Sequence, residues 1–291
     1  MRRRRFLAIS AAFLVAPAAR AEVTRWRAPA LGGEVRVDLR GPRGLGAEVA
    51  ARIAALVEEV EAAASLFRPD SALARLNAAG GLEAAPGALT DLLEVAGEMH
   101  AATGGVFDPT VQPLWRALAE GGDPGPARAA IGWARVRPGP APRLGAGQGL
   151  TLNGIAQGYA ADRVRATLAE AGYGTALVDM GEFAALGGPF ALGLADPQIG
   201  LFGERRMLGG ALAVSSPGAM RIGSELHILG PRGEPALWST VAVEAERAAI
   251  ADGASTAFCL MDREAIRAAR DRLPGVGRVT LVDFAGDVSS L

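Results

Sequence analysis

The stretch 153-NGIAQGYAADRVRATLAEAG-172 opens on a glycine-bearing turn, continues as a helix-forming run, and stops at another glycine. Residues 149–152 lead into it as a short strand, and 175-TALVD-179 follows it as another. Working outward, 34-EVRVDL-39 alternates apolar and polar residues as a strand does. In residues 47–64, Val49, Ile53, Leu56, Val57 and Val60 fall at helical spacing. Thr90 is a good N-cap and predicts a helix carrying Leu92, Leu93, Val95 and Met99. Glycine and proline dominate 119–149, which reads as loop with a short helix near 126–132. Beyond the opening stretch come strands at 190–194, 211–215 and 239–245. A helix then opens near Asp252, another covers 263–272, and 278-RVTLVD-283 is a closing strand. Strands and helices alternate irregularly, with no repeat and no boundary within 22–291. The expectation is an α+β fold: a single layered domain of mixed sheets and helices.

Half of the 291 residues are hydrophobic but only 5% are aromatic, so alanine and glycine supply much of the apolar content. The chain contains no lysine, and all 30 basic residues are arginine. Schiff-base, P-loop-lysine and Ser-Lys chemistries each need an amine and are excluded. The remaining chemistry uses oxygen, imidazole, guanidinium or a metal.

The first residues, MRRRRFLAISAAFLVAPAARA, combine a basic start, an apolar run and a small-x-small end at Ala19-Arg20-Ala21. They predict a signal peptide over 1–21, of the twin-arginine type given Arg3-Arg4-Arg5-Phe6-Leu7, and hence a periplasmic protein. Pro17 breaks the apolar run, which is too short to span a membrane, and no later segment reads as a span. Cleavage removes five arginines and leaves 25 basic against 31 acidic residues, a net charge of −6. That charge argues against a nucleic-acid surface. Cys259 is the single cysteine and cannot form an internal disulfide.

Four short patterns carry candidate chemistry. In 250-IADGASTAFCL-260, Asp252 and Thr256 stand four apart, which places a carboxylate and a hydroxyl on one helical face. They read either as an ordinary helix start or as two hard oxygen ligands for a cation such as Mg²⁺. Gly154 and Gly158 at the head of the opening stretch serve either close backbone approach to a phosphate or simple packing. The spacing is not GxGxxG. In 104-GGVFDPTVQPLW-115, Asp108-Pro109-Thr110 is a turn signal, and Phe107 and Trp115 are core candidates. In 227-HILGPRGEP-235 a histidine enters a turn; the other histidine, His100, is expected on a helix surface.

Taken in order, 65-SLFRPDSALARLN-77, 104-GGVFDPTVQPLW-115, 153-NGIAQGYAAD-162, 227-HILGPRGEP-235 and 252-DGASTA-257 resemble the ApbE family of FAD:protein FMN transferases. The resemblance implies an exported α+β flavoprotein that binds FAD and Mg²⁺ and moves FMN onto a threonine or serine of an acceptor protein. It implies Asp252, Thr256 and the carbonyl of Gly154 as metal ligands. It places Leu31 of 31-LGG-33, Phe67, Val106, Phe107, Asp108, Thr151, Gln157, His227 and Ile228 at FAD contacts. His227 is the candidate general base, with Asp252 as its rival. Attack of the acceptor hydroxyl on the FMN-side phosphorus, with AMP leaving, rests on positioning and charge neutralisation and needs no lysine.

The chain also departs from the family pattern. Thr151 replaces an aspartate common among relatives, Gln157 a lysine or glutamate, and Gly230 an aspartate. The stretch 179-DMGEF-183 replaces paired glycines and an aspartate. These departures resemble the branch linked to nitrous oxide reductase maturation. Two other readings therefore stand beside the transferase: a flavin carrier or maturation factor for a respiratory enzyme, and an FAD pyrophosphatase in which water replaces the acceptor hydroxyl.

Overall fold

The computed structural model describes residues 12–14, 23–42 and 44–291. Apart from Ala12–Leu14, the expected leader lies outside them. The elements in chain order are β1 (Ala12–Leu14), β2 (Val23–Ala30), β3 (Gly33–Arg40), α1 (Ala47–Ala64), α2 (Ala72–Ala79) and α3 (Gly87–Ala102). Then come α4 (Gln112–Glu120), α5 (Pro124–Ala129), α6 (Ala156–Glu170), β4 (Ala176–Asp179) and β5 (Phe183–Leu186). After these stand β6 (Phe190–Asp196), β7 (Gly200–Met207), β8 (Gly210–Ser215), β9 (Arg221–Ile222) and β10 (Glu225–Leu226). The last are β11 (Thr240–Ala245), α7 (Ala248–Phe258), α8 (Arg263–Asp271), β12 (Val276–Val282) and β13 (Val288–Ser290).

Eight strands form one sheet in the order β13-β12-β11-β8-β5-β4-β3-β2, and all of its pairings are antiparallel. An antiparallel sheet covered by helices on one face is the α+β architecture expected from the alternation of elements. Helices α1, α3, α6 and α7 cover one face and share the large core. The other face meets β6 and β7 over a smaller core that includes Phe183, Phe190, Leu192 and Leu194.

Side-chain size decides which face does what. Along β4, β5, β8 and β11 the helix-facing positions are Ala176, Val178, Ala184, Ala211, Ala213, Val241 and Val243. Those facing the small sheet are Leu177, Phe183, Ala185, Leu212, Val214 and Ala242. Alanines on β5 and β8 let α6 and α7 lie close to the sheet. Large residues on the opposite face fill the space under β6 and β7; each, when fully buried, contributes roughly 1.5–3 kcal/mol.

Several local expectations are corrected. The helix predicted from Thr90 begins at Gly87 after Pro86, and Thr90 lies within its first turns. Residues 149–152 are not a strand. Their backbone is held instead by Asn77, whose Oδ1 accepts from Leu150 N at 2.8 Å while its Nδ2 donates to Leu150 O at 2.9 Å. An amide side chain thus does the work of a neighbouring strand. His100 is half-buried rather than a free surface residue: its Nδ1 lies 3.0 Å from Phe107 O and its ring faces Trp133. Cys259 is free and buried, and burial raises its thiol pKa.

Candidate active site

Helix α7 carries the Asp252–Thr256 pair, and its start is fixed from α6. Asp162, the last residue of 153-NGIAQGYAAD-162, accepts from Ala248 N at 2.9 Å through Oδ1 and from Ala249 N at 3.0 Å through Oδ2. A carboxylate at a helix N-terminus satisfies open amides and complements the macrodipole. Arg165 completes this anchor, 2.9 Å from Asp162 Oδ1. Because α7 begins at Ala248, Asp252 lies in its second turn rather than at its start, which removes the capping explanation.

Nearly all of α7 is buried, so its neighbours must approach closely. A Cβ on Gly158 would stand 2.3 Å from Ala248 O, inside the contact distance of backbone atoms that cannot move aside. The close approach also lets Gly158 N donate to Asp252 Oδ2 at 3.2 Å. Of the two readings of this glycine, the structure shows packing, and its amide is committed to the Asp252 carboxylate. Asp252 is 4% exposed. Burial pushes its pKa up to about 7, against the lowering effect of the Gly158 amide.

Gly154 completes the pair from the other side: a Cβ placed there would lie 3.3 Å from Thr256 Oγ1 and 3.4 Å from Phe107 Cε2. Ser215 at the end of β8 adds another hydroxyl, 3.4 Å from Thr256 Oγ1 and 2.7 Å from Ser255 Oγ. The Thr256 and Ser215 hydroxyls thus meet beside the Gly154 turn, with the Asp252 carboxylate one helical turn earlier on α7. This is an all-oxygen environment suited to a hard divalent cation.

The other motif residues are placed around this group. Thr151 N donates to Pro109 O at 2.9 Å, tying the turn to the 104–115 segment. Arg232 Nη1 donates to Gly104 O at 3.2 Å, so the 227–235 loop docks on the same segment. His227 is part-buried; its Nδ1 lies 3.0 Å from Pro217 O, a pure acceptor, so Nδ1 carries the proton and Nε2 is left with its lone pair. Burial lowers the His227 pKa, which favours the neutral ring. Pro217 follows Ser215 by two residues, a reach of at most about 7 Å. Ile228 and Val106 are half-buried beside these contacts, and Phe107 is buried.

Asp108 is committed within the scaffold. Its Oδ1 accepts from Thr110 N at 2.9 Å and Thr110 Oγ1 at 2.5 Å, and its Oδ2 accepts from Trp133 N at 3.2 Å. Gln157 Nε2 donates to Met180 O at 2.8 Å, so this amide holds the β4–β5 turn. Leu31 occupies the β2–β3 turn at φ +46°, a left-handed backbone unusual for a leucine. Phe67 is 65% exposed in the α1–α2 connection.

The ApbE family model matches residues 31–279. The chain belongs to the ApbE family. No curated protein matches it by sequence. The flavin transferase ApbE from Vibrio cholerae superposes with a TM-score of 0.79 at 20% identity, covering 94% of this chain and 97% of that one. The Pseudomonas stutzeri flavinyl transferase ApbE in its apo form gives 0.78 at 23%, covering 94% and 96%. The ApbE protein from Thermotoga maritima gives 0.79 at 24%, covering 92% and 96%. At these identities the likeness establishes the ApbE fold.

Two residues of this ApbE site escaped the sequence motifs. Ser215 ends an ordinary strand and nothing in its neighbours marks it. Glu182 was visible only as a departure within 179-DMGEF-183. It is 8% exposed, and its pKa is driven well above the usual carboxylate range by burial and then by the charge of Asp252.

Proposed function

We propose that this ApbE chain is a Mg²⁺-dependent FAD:protein FMN transferase. It joins FMN through a phosphoester to a threonine or serine of an acceptor protein and releases AMP. The observation that carries the reading is Thr256 lying against the Gly154 turn at the head of α6, with Asp252 one helical turn before it on the same helix. The donor set fits Mg²⁺: hard oxygens, too few to fill an octahedral shell, which leaves room for phosphate oxygens of the bound dinucleotide. When bound, the cation neutralises charge on the phosphates during phosphoryl transfer.

The chain's own residues supply the rest. Gly154 O, Asp252 and Thr256 would hold the cation. Phe107 walls the site beside Gly154, and Val106, Thr151, Ile228, Leu31 and Phe67 are the proposed flavin nucleotide contacts. Asp108 and Gln157 act by fixing the loops that bear those contacts. His227 receives the acceptor hydroxyl proton at Nε2 while its Nδ1–H stays on Pro217 O. The P–O bond to the acceptor forms as the P–O bond to AMP breaks, and AMP carries off the leaving electron pair.

The motivation for a periplasmic setting is the basic, apolar and small-residue pattern of 1–21, with the enzyme domain over 22–291. Among the described residues no helix is long and apolar enough to cross a membrane. The test is to incubate the protein with FAD, Mg²⁺ and candidate acceptor domains and to weigh the acceptors. A gain of one FMN mass is expected. AMP release without any acceptor would instead indicate a pyrophosphatase. Tight flavin on a protein that neither transfers nor hydrolyses it would indicate a carrier.

A further inference from the structure

Glu182 lies in the turn between β4 and β5, and the fold buries it in an unusual state. Its Oε2 is inaccessible and has no hydrogen-bond partner. Such an oxygen is costly unless a proton or a cation meets it. The Val214 amide approaches the same carboxyl group, and the next residue of β8 is Ser215, beside Thr256. From the opposite side, consecutive residues of α6 set the spacing. Gln157 donates to Met180 O, two residues before Glu182, and Gly158 donates to Asp252. Glu182 and Asp252 are thus tied to adjacent residues of one helical turn. Among the described residues no positive side chain offsets either carboxylate. No group of three or more His, Cys, Asp or Glu able to hold a metal occurs among them either, so these two carboxylates are what the site offers.

We infer that Glu182 is a further cation ligand in this chain, so that Mg²⁺ is bound before the dinucleotide and not only together with it. The inference rests on the proposed function for the location of the cation. Its reason is charge. One carboxylate leaves a dipositive ion half-neutralised and dependent on phosphate oxygens. Two carboxylates match its charge without them. The metal-free site, with two carboxyl groups and, among the described residues, no positive side chain, offers a diphosphate no charge to pair with, so cation loading becomes the step that admits FAD.

Calorimetric titration of Mg²⁺ into the FAD-free protein, paired with melting curves, tests this. The wild type is expected to take up one Mg²⁺ and to melt higher with it. The E182Q variant, of the same shape and uncharged, is expected to melt no lower than the metal-free wild type. It should bind Mg²⁺ roughly tenfold or more weakly, since affinity follows the charge of the ligand set. Wild type that takes up no Mg²⁺ until FAD is added overturns the inference whatever the variant does, and so does E182Q binding as tightly as wild type. Transfer of FMN is scored separately. A protein that loads Mg²⁺ through Glu182 but transfers nothing counts against the transferase alone, and one that transfers but needs FAD to load Mg²⁺ counts against Glu182 alone.

Discussion

Gly158 donates its backbone amide to Asp252 Oδ2 across 3.2 Å, and the same glycine lies where any Cβ would strike Ala248 O. One residue therefore sets both how closely α6 and α7 pack and where the carboxylate of the site points. A change at either partner propagates to the other.

Replacing Gly158 with alanine forces the two helices apart, because the atom met at 2.3 Å is backbone. The expected loss is about 3 kcal/mol or more, at or beyond the upper end for overpacking, read from urea denaturation. Gly174, whose added Cβ meets nothing within 4 Å, is the control. Its alanine variant should stay within about 0.5 kcal/mol of wild type.

The Asp252→Asn variant keeps the side-chain shape and removes the charge. FMN transfer, measured by acceptor mass, is expected to fall by roughly 100-fold or more, the scale of losing one preorganised charge stabiliser. Metal-free stability at pH 8 should be unchanged or higher, since a desolvated unpaired carboxylate is removed. Transfer at the wild-type rate would show that the carboxylate has no part in the reaction.

Metal-free stability should depend on pH through Asp252. Its folded pKa of about 7 lies above the ordinary aspartate value of 3.8, so the fold favours the protonated form. Stability is then fully present below pH 4 as far as this group is concerned, declines as pH rises toward 7, and is lowest above it. Saturating Mg²⁺ should flatten that decline, and its binding near pH 6 should release protons, measurable by calorimetry in buffers of different ionisation enthalpy.

At the acid end a different carboxylate acts. Burial alone would raise the Asp196 pKa, but hydroxyls of Ser239 and Thr240 and amides of Gln198 and Ile199 lower it overall. Its stabilisation is present above the ordinary aspartate pKa and is lost as pH falls through the depressed value. The Asp196→Asn variant should melt lower than wild type at pH 7, with the gap narrowing as pH drops below about 4.

His227→Ala should reduce FMN transfer by about 10²–10⁴-fold, the usual span for a general base, while leaving Mg²⁺ binding intact. Burial lowers the histidine pKa, so wild-type transfer should hold level through neutral pH and fall only on the acid side of its ordinary 6.5. An alanine variant with the wild-type pH profile and rate would return the base role to another group.

Much of the architecture was readable in the residues themselves. The alternating run at 34–39 and the short strand segments at 211–215 and 239–245 became β3, β8 and β11, and the apolar spacing of 47–64 became α1 with its observed ends. Local pattern suffices where an element must bury one face, as α1 does, or both, as β8 and β11 do. It failed at 149–152, where an extended apolar segment has no strand beside it and is paired by Asn77 from far along the chain. It also failed for β7, whose exposed and charged residues leave little alternation to detect.

For the site, the order of motifs named the family and the residue types named the chemistry, because oxygen ligands, an imidazole and a glycine turn are properties of the chain. What folding alone decided was their surroundings. Asp252 is a buried mid-helix carboxylate because Asp162 sets where α7 begins. Glu182 lies within reach of its charge, in the turn that Gln157 pins before β5. Charge and desolvation depend on neighbours brought in from distant parts of the sequence, and those distances exist only once the sheet and helices have closed around them.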